Sequence, residues 1–190
     1  MSIDIPKDYI AIIGHDHAVS GRDEAIAFVG YMKNDGPLIE HEVRAWHNTL
    51  IHEQVAELAL CYPTGIFWID GTSEGGKEAL GYYQRAGLDH HGLDFGKAKS
   101  TIMITLKNSL QQKLFLFADE KTRMQLINYP YELSPTKHIK YGDKDIPDDR
   151  VDAAALANYG AFMRRGYGSG ENAVMFSGGP GEDDSWIVKL

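Results

Sequence analysis

A single cysteine, Cys61, stands among 190 residues. The chain can therefore form no internal disulfide and no multi-cysteine zinc centre, and a reducing compartment suits it. Long apolar runs are missing too, since nothing approaches the ~18–20 residues that a membrane span needs. The first residues, Met1-Ser2-Ile3-Asp4-Ile5-Pro6-Lys7-Asp8, lack the basic start and apolar middle of a secretory leader. A soluble, intracellular protein is expected. Basic residues are the minority, 19 against 27 acidic, for a formal charge of −8. Taken as a sum, that charge counts against a nucleic-acid partner, because phosphate binding usually leaves a basic footprint. No internal repeat is visible.

What the chain does have is an ordinary globular composition, 43% hydrophobic and 24% charged, and a length that suits one core. Tyr9 to Ile13 is a short β-type run followed by Gly14-His15-Asp16-His17. Ala25 to Met32 and the alternating stretch Leu38 to Trp46 read as two further strands, the latter two separated by the turn Asn34-Asp35-Gly36-Pro37. Leu50, Ile51, Val55, Leu58 and Ala59 recur at helical spacing before Pro63-Thr64-Gly65. Ile66-Phe67-Trp68-Ile69 is wholly apolar and ends in Asp70, as expected of a strand covered on both faces.

Helices are expected from Gly75 to Ala86, from Ser100 to Gln112 and, capped by Asp119, to about Asn128. Leu114 to Phe117 reads as a brief strand between the last two, and Tyr129 to Tyr141 as a hairpin through Ser134-Pro135. A closing helix begins near Asp148-Asp149-Arg150-Val151-Asp152, with Pro147 ahead of it and acids in its first turn, where the helix dipole favours them. This order calls for an α/β domain with a mixed central sheet, three antiparallel opening strands, parallel crossovers and flanking helices, which is the ribonuclease H-like architecture. The domain is expected over residues 1–163, with a Gly-rich C-terminal tail over 164–190.

Three separated segments each bring acid to the end of an element: Asp16, Asp70, and the group Asp148, Asp149 and Asp152. If the first and fourth strands are neighbours, Asp16 and Asp70 leave the sheet at one end, where open α/β sheets place their sites. Asp149 and Asp152, at i and i+3, share a helix face and can meet them. Carboxylates packed so closely raise one another's pKa unless a cation neutralises them. Two Mg²⁺ or Mn²⁺ ions would do so, and would activate water and stabilise the leaving oxygen in phosphodiester hydrolysis. Taken singly, each aspartate is equally a helix cap or a turn residue.

The segments Ile12-Ile13-Gly14-His15-Asp16-His17-Ala18, Phe67-Trp68-Ile69-Asp70-Gly71-Thr72-Ser73-Glu74-Gly75-Gly76 and Asp148-Asp149-Arg150-Val151-Asp152-Ala153 resemble the three acidic motifs of the nuclease domain in the large terminase subunit of tailed bacteriophages. The resemblance spans roughly residues 8–163. It implies a metal-dependent endonuclease that cuts concatemeric viral DNA during packaging in the cytoplasm of the infected host cell. It also implies the terminase ATPase domain and the portal protein as partners. Asp16 and Asp70 would be metal ligands and Asp149 would complete the catalytic set; Asp148 and Asp152 would be ligands, orienters of bound water or caps. Pro147 stands where a histidine often precedes the acid pair. His15 and His17 could take that role, but the ordinary exposure of histidine favours turn residues. No G-x-x-x-x-G-K-[ST] motif for an ATPase motor is present, since Gly75-Gly76-Lys77-Glu78 lacks its spacing and its hydroxyl.

Charge is segregated along the chain. Lys97, Lys99, Lys107, Lys113, Lys121, Arg123, Lys137, Lys140 and Lys144 are opposed over that span only by Asp119, Glu120, Glu132 and Asp143. Lys97, Lys99, Lys137 and Lys140 are the candidates for holding double-stranded DNA by its phosphates. Two alternatives keep the fold and change the role: a Holliday-junction resolvase, or a non-catalytic packaging adaptor docking through the tail.

Overall fold

The computed structural model describes residues 6–17, 24–129, 148–166 and, for the backbone alone, 131–133 and 139–141. The elements run β1 (Ile10–Asp16), β2 (Ala25–Met32), β3 (Leu38–Trp46), α1 (Ile51–Cys61), β4 (Ile66–Asp70), α2 (Glu74–Arg85) and β5 (Asp89–Leu93). They continue with α3 (Phe95–Gln111), β6 (Phe115–Leu116), α4 (Glu120–Ile127), β7 (Tyr131–Leu133), β8 (Ile139–Tyr141) and α5 (Asp149–Arg164). Six strands form one sheet in the order β5-β4-β1-β2-β3-β6, and β7 and β8 form a separate antiparallel pair. The three opening strands are antiparallel neighbours, whereas β4, β5 and β6 join parallel to theirs. The mixed ribonuclease H-like sheet expected from the sequence is present.

The alternation of side chains along a strand divides the core into two layers. Ile12, Ile26, Phe28 and Trp68 pack on one side of the sheet with Ile102 and Leu106 of α3 and the alanine-rich run of α5. Ala11, Ile13, Ala27, Phe67 and Ile69 pack on the other with Val55 and Leu58 of α1 and Ala79 and Tyr83 of α2. β4 is thus covered on both faces, which is why its sequence is apolar throughout.

Two boundaries and one strand differ from the sequence reading. β1 continues through His15 to Asp16, because pairing with β2 from Gly14↔Phe28 to Asp16↔Ile26 carries the ladder past the last aliphatic residue. β5 has no apolar alternation in Asp89-His90-His91-Gly92-Leu93, and it exists because parallel pairing to β4 holds it at the sheet edge. α3 begins at Phe95 rather than Ser100, since Asp94 accepts the Lys97 N–H at 3.3 Å and caps a turn that Gly96 disguises. Among the described residues no helix is long and apolar enough to cross a membrane.

One close approach positions everything that follows. A Cβ on Gly14 would fall inside the carbonyl oxygen of Ala153 and the amide nitrogen of Ala157. The backbone of α5 therefore rests directly on β1, two residues before Asp16.

Candidate active site

β1 and β4 run parallel in the register Ile12↔Ile66 to His15↔Ile69. The next residue of each strand, Asp16 and Asp70, leaves the sheet at the same end. α5 crosses that end through the contact at Gly14 and presents its N-terminal acids there. Asp16 is buried, and its carboxyl is pushed well above the usual carboxylate range, by burial first and then by the charges of Asp152, Asp149, Asp70 and Asp148. The other four acids singled out in the sequence thus all act electrostatically on Asp16.

The first turn of α5 is held from three sides. Arg150 is buried and reaches Asp119 Oδ2 of the α4 cap at 3.3 Å and Glu24 Oε2 at 3.5 Å. Its backbone N–H donates to Gln125 Oε1 of α4 at 3.1 Å. Asp152 accepts from the Tyr129 hydroxyl at 2.8 Å on Oδ1 and from Lys99 Nζ at 2.8 Å on Oδ2. Lys99 also reaches Asp148 Oδ2 at 3.4 Å. Burial raises the Asp152 carboxyl to about 6, with Asp148 adding to the rise and the Lys99 charge and both donors opposing it. Burial works against the Lys99 ammonium, but Asp152 and Asp148 outweigh it and hold the amine above its ordinary value. Burial and Asp152 raise the Tyr129 phenol, which stays a donor.

Asp70 is fixed by the loop that follows it. Its Oδ1 accepts the Thr72 N–H at 2.8 Å and the Thr72 hydroxyl at 2.5 Å, and the Thr72 oxygen accepts the Gly96 N–H at the start of α3 at 3.3 Å. Gly76 in the first turn of α2 has no room for a Cβ against the Asp70 carbonyl, so that helix also closes on the site. His17 lies at the rim, its Nε2 3.4 Å from Ser73 Oγ. Burial lowers its pKa, against the opposing charges of Asp70 and Glu78.

His15 corrects the sequence reading: it is fully buried, not a turn residue. Strand alternation sends it to the α1/α2 side of the sheet. Its Nδ1 accepts from the Tyr83 hydroxyl at 2.9 Å and its Nε2 donates to Gln54 Oε1 at 3.0 Å, the Gln54 amide being oriented by donation to Thr49 O at 2.7 Å. Burial, with the His17 charge, lowers it to about 3, so it is a neutral strut.

The candidate DNA-binding lysines separate. Lys97 is exposed and pairs with Asp94 at 2.7 Å, whereas Lys99 points inward to the acids. Lys140 lies in β8, of which only the backbone is described, and Lys137 and residues 167–190 of the tail lie outside the described residues. Sequence reasoning missed Tyr129, Thr72 and the inward position of Lys99. A signal for the last exists, because 95, 99, 102, 103 and 106 share one helical stripe, but it shows only when α3 starts at Phe95.

An all-carboxylate set suits a hard divalent cation. Among the described residues, however, no group of three or more His, Cys, Asp or Glu side chains stands ready-formed around an ion position. The fit is one of chemistry and placement: Asp16, Asp70 and the acids of α5 are the residues that would hold such an ion.

No family model and no curated protein sequence matches the chain. Solved structures do. The large terminase nuclease of thermophilic phage G20c with bound magnesium superposes with a TM-score of 0.68 at 20% identity, covering 82% of this chain and 84% of that one. The same domain has been solved with cobalt and with zinc. The nuclease domain of the P22 large terminase gives 0.58 at 14% identity over 86% of both chains. A large terminase from a thermophilic bacteriophage, in complex with ATP-gamma-S, gives 0.63 at 10% identity, with 81% of this chain and 40% of that one covered. The chain has the fold of the large terminase nuclease domain.

Proposed function

We propose that the chain is a divalent-metal-dependent endonuclease acting on double-stranded DNA during phage genome packaging. The observation that carries this reading is the convergence of Asp16 and Asp70, from parallel neighbouring strands, with the N-terminal acids of α5 on a terminase nuclease fold. Asp16, Asp70 and Asp149 would hold the metal, magnesium or manganese by the hardness of the donor set. Bound there, the metal supplies an activated water and charge stabilisation for phosphodiester hydrolysis. Thr72 orients Asp70, and Tyr129 with Lys99 orients Asp152. Lys97, Lys137 and Lys140 are proposed to position phosphates without reading bases, so binding should be salt-sensitive and largely indifferent to sequence. The terminase ATPase domain and the portal protein are the protein partners this reading implies. Two ions were expected from the sequence, and Asp148 and Asp152, the acids that would remain for a second ion, pair with Lys99.

Supercoiled plasmid incubated with the purified chain should be cut in Mn²⁺ or Mg²⁺ and left intact in chelator. Asp16→Asn and Asp70→Asn, folded by circular dichroism, should lose about 100-fold or more of the rate. Metal-independent cleavage, or full activity in either variant, would refute the proposal.

A further inference from the structure

Lys99 occupies the kind of place a cation takes. Its Nζ lies 2.8 Å from Asp152 Oδ2 and 3.4 Å from Asp148 Oδ2, and 5.2 and 5.7 Å from the ring centroids of Phe95 and Tyr129. An exposed lysine swings freely, but this side chain is only 22% exposed and rises from the apolar stripe of α3. An ammonium taken out of water is tolerated only when paired, and here two carboxylates and two ring faces pair it. Tyr129 engages the other oxygen of Asp152, so both oxygens of that carboxylate are already occupied by donors from the protein. A divalent ion bound to the same oxygens at ~2.0–2.2 Å would stand against the positive charge of an ammonium already paired to them.

We propose that the Lys99 ammonium stands in for the second divalent ion, so that the chain takes up one ion, on Asp16, Asp70 and Asp149, where a two-ion nuclease takes up two. The inference rests on the metal-dependent reading above and deepens it. The lysine supplies part of the positive charge that the acid cluster requires, at a position set by the packing of α3 on α5.

Calorimetric titration of the full chain with Mn²⁺, checked by equilibrium dialysis, tests this without reference to cleavage. The parent should bind one ion per chain. Lys99→Met keeps an unbranched stem between the rings and removes the charge, and should bind two; Lys99→Arg keeps the charge and should bind one. Two ions on the parent, or one on both the parent and Lys99→Met, overturns the role of Lys99 while leaving the metal-dependent reading in place. No ion on the parent overturns both. If Lys99→Met does not fold, Lys99→Gln, which also removes the charge, is titrated in its place and should bind two, one ion overturning the role of Lys99.

Discussion

A carboxylate buried among four others, as Asp16 is, opposes folding whenever it is charged. Its folded pKa lies above its unfolded value, so the penalty is complete above the folded pKa and disappears as pH falls toward the unfolded value of about 3.9. In chelator, Asp16→Asn should therefore unfold at a higher urea concentration than the parent at pH 7–8, and the gap should close on acidification. A gap that does not change with pH would count against the electrostatic cause. His15 has the opposite sign. It is held neutral with a pKa lowered to about 3, so its stabilising effect is present above the unfolded value of about 6.5 and is lost between there and pH 3. Paired variants are needed to separate the two. Tyr129→Phe removes a donor to Asp152, and the carboxyl should then titrate above about 6, as followed by carbon NMR, with a stability loss of about 1 kcal/mol. Asp16 and Asp70 were legible because each ends a strand that begins as an apolar run. Lys99 and His15 were not, because one needs the true start of α3 and the other the true end of β1.

At the scale of elements, the site is built from the C-terminal ends of two strands and the N-terminal end of one helix. β2 was legible as an apolar run, β3 from alternation and α5 from acids placed where a helix starts. β5 was not, because Asp89-His90-His91-Gly92-Leu93 has no local preference for a strand, and the sheet edge beside β4 imposes one. The junction between β1 and α5 yields a sharp prediction. Gly14→Ala must push α5 off the sheet, since the methyl would collide with backbone rather than with a side chain that can turn aside. A loss of about 3 kcal/mol or more is expected by urea denaturation, with weaker Mn²⁺ binding in the fraction that still folds. Unchanged stability would show that α5 is free to shift.

For the whole molecule, the charge of −8 no longer speaks against DNA. Part of it is the acid cluster, which the proposed cation would offset, and exposed Lys97 lies at the start of α3, the helix that also carries Lys99. Cleavage should weaken steeply with added salt and show no preference for four-way junctions over linear duplex. Selective cutting of junctions by a symmetric dimer would point to a resolvase instead. The described fold closes at its C-terminal side where Arg165 donates to the carbonyls of Gly36 and Leu114 at 3.0 and 2.9 Å. Deleting residues 167–190 should accordingly preserve metal-dependent cleavage, and loss of cleavage with the chain still folded would assign the tail a catalytic part. The contact at Gly14 bears on how such a site can change over time. The gap between the acid at the end of β1 and the acids of α5 is set by backbone touching backbone, so it has no graded adjustment. Variants at this position move in steps of a whole methyl group, and finer tuning of the active centre falls to the neighbouring residues Thr72, Tyr129 and Lys99.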